Sequence, residues 1–286
     1  MGSSFAVFEY ILNKIGLEQI LNTSRKAFKG SSYDQFKKAK SKYMIEQKYD
    51  KVAVCFDWMI KCVSDDNKFL SKYELGKLYE EYADLLLEKL DDKEKGINQF
   101  NLAMETHIDN SNLNGAIKIK EKLGEYYKSI SEYEKAIEMY SSALNIYSNK
   151  NYSYIKINKM LYELYILTNN FEKAYNIYNS LITNDKLNQY ATIDYVFGAM
   201  LNYIIIDYEL SENKYHQYCS SYPSFANDRK GKLIDSMLKS LAHNDISEFE
   251  NNIREFESMQ SNKFSNTDLI LFENIKKQFS DCMSLL

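Results

Sequence analysis

The chain has 286 residues, enough to bury a large core and more than one globular domain usually contains, so two modules or one elongated array are expected. It holds only nine glycines and one proline, too few for the many tight turns of an all-β fold of this length. Charged residues make up 27% of the chain and the net charge is −4, while 25 tyrosines and 15 phenylalanines exclude a disordered polymer. The composition predicts amphipathic helices joined by short polar loops.

The first 48 residues are basic, with nine Lys or Arg against four Asp or Glu. The apolar stretch in MGSSFAVFEYILNKIG is too short for a signal peptide and is interrupted by Glu9, and Ala6 stands where a myristoylation motif wants Ser or Thr. The four cysteines show no CxxC spacing and no disulfide-scaffold density. These features predict a reducing, cytoplasmic location.

Two helices are predicted next, over YDQFKKAKSKYMIEQ and YDKVAVCFDWMIKCV, because their apolar residues recur at helical spacing. Cys55 and Cys62 lie seven residues apart, on one face of the second helix, and are interpreted as core residues.

Three later stretches repeat one pattern: KGINQFNLAM, EKAIEMYSSAL and EKAYNIYNSLI, aligned on Gly96, Ala136 and Ala174 with steps of 40 and 38 residues. Periods of about 34 to 47 residues are typical of stacked helical hairpins, since one hairpin cannot bury its apolar face alone. Small residues such as Gly124 are expected to let paired helices approach closely, with tyrosines such as Tyr140 filling the gaps beside them.

Pro223 is the one proline, and it lies in SSYPSFANDRKGKLIDSMLKSL. Proline lacks an N–H group and pushes its predecessor out of the α region, so a required break between helices is predicted there.

The sequence contains none of the phosphate-binding, zinc-protease or nucleophile-elbow motifs, and its three histidines are far apart. A binding protein is therefore predicted rather than an enzyme, with no cofactor, metal or nucleic acid. One alternative is a generic tetratricopeptide scaffold or co-chaperone that holds a peptide in its groove.

Four stretches carry a resemblance to a known family: FKGSSYDQFKKA, KGINQFNLAMETH, NNFEKAYNIY and the long segment IDYVFGAMLNYIIIDYELSENKYHQYCSSYPSFANDRKGKLIDSMLKSL. With them the chain resembles the soluble NSF attachment proteins (SNAPs), the alpha type more than the gamma type. The resemblance implies an all-α fold: a tetratricopeptide-like right-handed solenoid of antiparallel helical hairpins over residues 1–222, followed by a C-terminal helix bundle over 223–286. Pro223 would then stand at the junction.

The resemblance also implies a function. Such an adaptor in vesicle membrane fusion binds the SNARE four-helix bundle, formed by syntaxin-like, synaptobrevin-like and SNAP-25-like helices. It recruits and stimulates NSF, the hexameric ATPase that disassembles the SNARE complex, and has no catalytic centre of its own. The protein would be cytoplasmic and peripherally associated with membranes.

Basic positions that match SNARE-facing residues of the family are Lys89, Lys118 and Lys156, with Lys159 one residue from another that Met160 now occupies. Together they would attract an acidic helix bundle, in a field that salt weakens. The alternative for each lysine alone is a solvated surface charge. Tyr190 matches an aromatic position near that face, with a core role as its alternative.

The resemblance implies two further surfaces. Phe28, flanked by Arg25, Lys26 and Lys29, matches a loop that dips into the bilayer, an apolar wedge beside cations; its alternative is packing on the helix pair. For NSF, Leu285 matches the penultimate leucine that stimulates ATP hydrolysis, and Asp207 matches an acidic NSF-facing position. The family's paired glutamates align with Ala242 and His243, so the replacement charges expected nearby are Asp245, Glu248 and Glu250.

Overall fold

The computed structural model describes residues 29–64, 70–146, 152–183, 189–259 and 263–283, and within those ranges it contains helices and no strand. This confirms the all-α fold class, and the two helices predicted around Phe36 and Phe56 are α1 and α2. The helices are α1 (Lys29–Ile45), α2 (Tyr49–Ser64), α3 (Lys72–Lys89), α4 (Lys93–Asp109), α5 (Leu113–Ser129), α6 (Tyr133–Leu144), α7 (Tyr152–Leu167), α8 (Phe171–Ile182), α9 (Gln189–Ile206), α10 (Ser211–Ser221), α11 (Pro223–Asn227), α12 (Arg229–Ala242), α13 (Ile246–Ser258) and α14 (Asn266–Met283).

Successive helices pair as antiparallel hairpins inside two compact units, residues 1–119 and 120–286. In the first unit α1 packs on α2, α2 on α3 and α3 on α4. In the second unit α6 packs on α7, α7 on α8 and α8 on α9; α10, α11, α12 and α14 contact α9, and α13 packs on α12 and α14. Stacked hairpins are the arrangement that the repeats predicted. A domain boundary between residues 222 and 223 stays a prediction.

The hairpin turns explain how a glycine-poor chain reverses direction. Each of six turns places a residue other than glycine in the left-handed region, with φ between 51° and 61°: Gln47, Asp91, Ser111, Ser131, Asn169 and Asn244. At Asn169 the N–H donates to the carbonyl of Ile166 at 3.0 Å, and the next N–H, of Asn170, donates to that of Tyr165 at 2.8 Å. These two bonds form a Schellman motif, which satisfies carbonyls that the helix end would leave unpaired.

The residue after the left-handed position begins the next helix as its N-cap. The Oδ1 atom of Asn170 accepts the N–H of Lys173 at 3.3 Å, and Asp92, Asn112 and Asp245 cap α4, α5 and α13 in the same way. An N-cap side chain satisfies one of the donors that a helix start leaves free. A two-residue turn therefore closes one helix and opens the next.

Stacked aromatic rings from α1, α2 and α3 form much of the core of the first unit. Phe36 stacks on Trp58 with ring centroids 5.9 Å apart, and Phe56 stacks on Tyr82 at 4.9 Å. The Tyr82 hydroxyl donates to Asp57 at 2.8 Å, and the ammonium of Lys95 lies 3.1 Å from the same carboxylate. A buried hydroxyl needs such a partner, so this network joins α2, α3 and α4 without leaving an unpaired polar group.

Small residues allow the close helix contacts that the repeats predicted. A Cβ atom on Gly124 would lie 2.7 Å from Cζ of Tyr140, closer than side chains pack. Tyr140 and Ala136 are buried on the facing helix α6, and Ala174 is buried at the matching position of α8. The predicted approach of α5 to α6 at Gly124 is therefore confirmed.

Helix α9 is the centre of the second unit. All of its residues from Tyr195 to Leu201 are buried. Among them, Gly198 has no side chain and exposes its backbone to neighbouring rings. A helix that is apolar on all sides must be covered on all sides, and α8, α10, α11, α12 and α14 pack on it, while Tyr162 of α7 reaches it through its ring. Tyr178 packs on the bare backbone of Gly198 and stacks on Tyr162 with centroids 3.5 Å apart.

One amide lies in this apolar surrounding. Asn202 is fully buried, and its Nδ2 atom donates to the Gly198 carbonyl at 2.7 Å and to the Tyr162 hydroxyl at 3.0 Å. Burial raises the pKa of Tyr162 above its usual value, so the hydroxyl stays protonated. The amide thus fixes α7 against α9.

Pro223 marks a helix break, as predicted. Helix α10 ends at Ser221, Tyr222 has φ −130° and ψ 76°, and Pro223 is the first residue of the short helix α11, where its missing N–H costs nothing. A Cβ atom on Gly231 would collide with the Phe225 carbonyl, so only glycine fits the entry to α12. The core continues past this break, since Phe225 and Leu233 pack in the same cluster as α9.

We expect Asn170→Ala to lower the free energy of unfolding by about 1 kcal/mol, because it removes the N-cap of α8. The neighbouring Asn169→Gly is the matched variant, and it should be neutral or stabilising because glycine adopts the left-handed conformation freely. Urea unfolding of both variants measures the difference. Equal destabilisation by the two substitutions would contradict this account of the turn.

The side chain of His107, on α4, is packed tightly between α3 and α5 in the first unit. It is 2% exposed, and Cβ atoms on Gly76 of α3 and Gly115 of α5 would each lie 2.8 Å from its ring. Its Nδ1 atom accepts from Nδ2 of Asn112 at 3.1 Å. Burial lowers the pKa of His107 below its usual 6.5, and the nearby Lys77 lowers it further while Glu80 opposes the shift.

This shift predicts acid sensitivity. Below about pH 6.5 the unfolded chain takes up a proton at residue 107 that the folded chain resists, so the free energy of unfolding should fall as pH drops from 7 to 5. The slope due to this group is at most about 1.4 kcal/mol per pH unit. Urea unfolding at several pH values should show a smaller slope for His107→Gln, while the exposed control His243→Gln keeps the slope of the unsubstituted chain. Identical slopes for all three proteins would contradict the prediction.

Candidate functional site

Two of the predicted SNARE-facing lysines lie on one face of α7. Lys156 and Lys159 are three residues apart, so their side chains are neighbours on the helix surface. The Nζ atom of Lys156 lies 2.8 Å from Oε2 of Glu121 on α5, and that of Lys159 lies 5.4 Å from the ring centroid of Tyr195 on α9. Both cations are therefore held in place by neighbouring helices.

Carboxylates alternate with the lysines on this surface of α5 and α7, which we call the charged face. Lys128 pairs with Glu163 at 2.7 Å, and the Lys156–Glu121 pair lies on the same two helices. Burial raises the pKa of Tyr140 beneath them, and Glu125, Glu121 and Glu163 raise it further. The charged face thus presents paired charges, which reduces the positive field that lysines alone would create.

Tyr190 is 81% exposed at the start of α9. The core role considered for it is therefore wrong, and its ring is free to contact a partner. An aromatic side chain this exposed is a common contribution to an interface.

Lys89 and Lys118 lie in the first unit and are exposed. Lys89 ends α3, where a cation is favourable at the helix C-terminus, and it borders a cleft of about 310 Å³ with Glu81, Asp84 and Glu88 on its rim. Lys40 also lines this cleft and pairs with Glu81 at 2.6 Å, so Lys89 stands among charges of both signs. That Lys89 and Lys118 share a face with the α7 lysines stays a prediction.

The predicted membrane loop and tail fall largely outside the description. Arg25, Lys26, Phe28 and Leu285 lie outside the described residues, and Lys29 is the first residue of α1, with its side chain also outside. Within the described ranges, no helix combines the length and the hydropathy that crossing a bilayer requires.

Several acidic residues predicted to face NSF also form hydrogen bonds or ion pairs within the fold. Asp207 follows α9, and its Oδ1 atom accepts the N–H of Leu210 at 3.1 Å in the turn before α10. Asp245 caps α13 by accepting the N–H of Glu248 at 2.8 Å, and the Glu248 side chain is exposed. Glu250 forms ion pairs with Arg254 and Lys276, which lower its pKa, so its charge is already balanced.

A groove of about 270 Å³ connects the neighbourhoods of Asp207 and Asp245, and we call it the acidic groove. It runs between α10 and α12, and its charged lining includes Glu209, Glu212 and Asp235. Lys239 balances Asp235 at 2.6 Å, and that contact raises the pKa of the lysine. Glu209 and Glu212 remain as exposed negative charge.

The sequence-based reasoning missed Glu209 and Glu212. The segment DYELSE, residues 207–212, places three acids close to the predicted Asp207, and that density was the available signal. Ala242 and His243, the positions where the family has paired glutamates, line the same groove. The acidic charge therefore lies across the groove from the positions where the resemblance placed it.

No group of three or more His, Cys, Asp or Glu side chains in the described part of the chain is arranged to hold a metal ion. The described cysteines Cys55, Cys62 and Cys219 form no disulfide, and Cys55 is buried, as expected of a core residue. Cys62 is half-buried and packs against the same core. Burial raises the pKa of the Cys55 thiol to about 11.

The stacked helical hairpins define a helical-repeat protein. The sequence profile described as soluble NSF attachment protein, SNAP, matches residues 13–280, and the chain belongs to this family. None of the curated proteins compared with the chain matches it.

Two solved structures share its helical character at low identity. One is BtubC (BKLC) from P. vanneervenii, with 11% identity, a TM-score of 0.43, and coverage of 87% of this chain and 90% of that one. The other is the Rap conjugation gene regulator of the plasmid pLS20 in complex with the Phr* peptide, with 13% identity, a TM-score of 0.38, and coverage of 87% and 74%. The family assignment rests on the sequence profile alone.

Proposed function

We propose that this protein is an adaptor, of the alpha type, that binds the SNARE four-helix bundle and recruits and stimulates the NSF ATPase for SNARE complex disassembly. The observation that carries the proposal is the family match over residues 13–280. The protein supplies no catalytic centre in this scheme, since NSF hydrolyses the ATP. Its contribution is to hold two partners at once, which raises the effective concentration of each for the other.

The SNARE bundle is proposed to contact Lys89, Lys118, Lys156, Lys159 and Tyr190. On the charged face, Lys159 and the exposed part of Lys156 attract acidic side chains, and Tyr190 adds apolar area. Because Glu121 already neutralises part of the charge of Lys156, each contact is weak, and added salt should weaken binding further.

The membrane contact is proposed for the segment before α1. Phe28 would insert beside Arg25, Lys26 and Lys29, an apolar wedge among cations that suits an anionic lipid surface. One phenylalanine contributes little alone, so this contact assists binding that the SNARE bundle provides.

The NSF contact is proposed for the acidic groove together with the tail. Asp207, Asp245 and Glu248 lie in or beside the two turns at the groove, and Glu209 and Glu212 add exposed charge. A basic surface of NSF would be attracted there. Leu285 in the tail would then act on hydrolysis.

The SNARE contact can be tested by changing the two partners of one ion pair. Lys156→Glu should reduce capture of a preassembled SNARE bundle roughly two- to fivefold, and Glu121→Gln should increase it by a similar factor because it removes a carboxylate that balances part of the lysine charge. Pull-downs at low and high salt measure both, and the unsubstituted chain should prefer the assembled bundle to single SNAREs. Lys232→Glu, an exposed reversal on α12, is the control. If both partners' substitutions shift capture in the same direction, the charged face does not contact the bundle.

The NSF contact is tested by reversing charge in the acidic groove. Glu209→Lys with Glu212→Lys should reduce SNARE-dependent stimulation of ATP hydrolysis by NSF at least several-fold and leave SNARE capture unchanged, since the charged face is untouched. The matched control is Glu255→Lys with Glu257→Lys, an equal reversal at the far end of α13. Equal hydrolysis for the two double variants would show that NSF does not use the groove.

A further inference from the structure

Three tyrosine rings from three helices of the second unit surround one ammonium group. The Nζ atom of Lys214 on α10 lies 5.8 Å from the ring centroid of Tyr175 on α8, 5.6 Å from that of Tyr203 on α9 and 5.2 Å from that of Tyr218 on α10. A cation within about 6 Å of a ring centroid is attracted by the ring's electron-rich face. We call these three residues the tyrosine cage.

The rings of the tyrosine cage also contact one another and a neighbouring side chain, in addition to the lysine. Tyr175 and Tyr203 pack with centroids 5.3 Å apart and planes tilted by 54°, and the Tyr218 hydroxyl donates to Oδ1 of Asn179 at 2.9 Å. Burial raises the pKa of Tyr218, as does its hydrogen bond with Tyr175, so its ring remains neutral. The rings and the lysine therefore lie where α8, α9 and α10 meet, and the lysine is one of several links between these helices.

Within the described ranges, rings and not an ion pair hold the lysine. Among the described residues, the polar contact of Lys214 Nζ is with Oε1 of Gln217 at 3.0 Å, on its own helix, and not with a carboxylate. Lys214 is half-buried, so part of its side chain is open to solvent and to a modifying enzyme. The attraction of an ammonium group to aromatic rings depends on its positive charge and shape. A hydrogen-bonded ion pair also uses its N–H donors.

This difference determines how the contact responds to covalent modification. Methylation keeps the charge of a lysine, enlarges its head and weakens its hydration, and aromatic cages are the recognised binding sites for such ammonium groups. Acylation makes the nitrogen a neutral amide, which removes the attraction to the rings. The tyrosine cage would therefore retain one product and lose the other.

We propose that Lys214 is a modification site whose state the tyrosine cage reads: the cage retains the side chain when Nζ is methylated and releases it when Nζ is acylated. In methylation the deprotonated amine attacks the methyl group of a sulfonium donor, which leaves as a thioether. In acylation it attacks the acyl carbon of a thioester, whose thiolate leaves and takes up the proton. Neither step depends on the SNARE or NSF contacts proposed above.

Release of Lys214 would loosen α10 where it contacts α8 and α9. Helix α10 also forms one wall of the acidic groove, through Glu212 and Tyr215. The modification state of Lys214 would therefore change how firmly α10, and with it this side of the acidic groove, is held against α8 and α9.

Reductive methylation of the full chain with ¹³C-formaldehyde tests the retained state directly, because it converts lysines to dimethyl-lysine with the charge kept. One dimethylammonium signal should be shifted upfield by the ring currents of the cage and should be absent from Lys214→Arg. In Tyr203→Leu, which keeps apolar bulk but removes one ring, the signal should move back toward the others. The proposal is overturned if Lys214 stays unmethylated while exposed lysines react, if no signal is shifted, or if the shifted signal persists in Lys214→Arg.

The released state is tested with substitutions that mimic the two charge states. Lys214→Gln should lower the unfolding midpoint by about 2 to 4 °C and speed amide exchange in α10, while Lys214→Arg, which keeps the cation, should stay within about 1 °C of the unsubstituted chain. Equal midpoints and exchange for the two variants would overturn the proposal, because the contact would then not depend on charge.

Discussion

Rings packed against bare backbone hold the hairpins of this protein together. Tyr140 covers Gly124 between α5 and α6, and Tyr178 covers Gly198 between α8 and α9, each at a distance that leaves no room for a methyl group. A large planar side chain opposite a missing one gives two helices a close contact and a fixed register at the same time. Gly124 and Gly198 therefore serve helix contact, while the hairpin turns of the described ranges use polar residues in the left-handed conformation.

Much of the surface charge on the described helices is arranged in pairs. On the charged face Lys156 meets Glu121 and Lys128 meets Glu163, and in the acidic groove Lys239 meets Asp235. Exposed pairs stabilise a fold only slightly, but they reduce the field that a partner senses. A surface of this kind suits reversible binding in which several weak contacts act together, as the proposed adaptor role would require.

The sequence predicted the parts of this structure that depend on local pattern. Helical spacing, the repeat of small and aromatic residues, and the break at Pro223 all reappear, because each is determined by residues near one another in the chain. The environment of the site residues was not predictable in this way. Lys156 pairs with Glu121, 35 residues away in the chain, and the rings around Lys214 come from three helices. Both environments depend on how the hairpins stack. Tyr190 was ambiguous for the same reason.

The two-residue turns constrain how a protein of this kind changes length during evolution. Asn169 ends one helix in the left-handed conformation and Asn170 caps the next, so this connection contains no spare residue. A single inserted residue would rotate the following helix by about 100° and carry its apolar stripe away from the core. Duplication or loss of a complete hairpin keeps every stripe in phase, so the array is expected to grow and shrink by whole repeats.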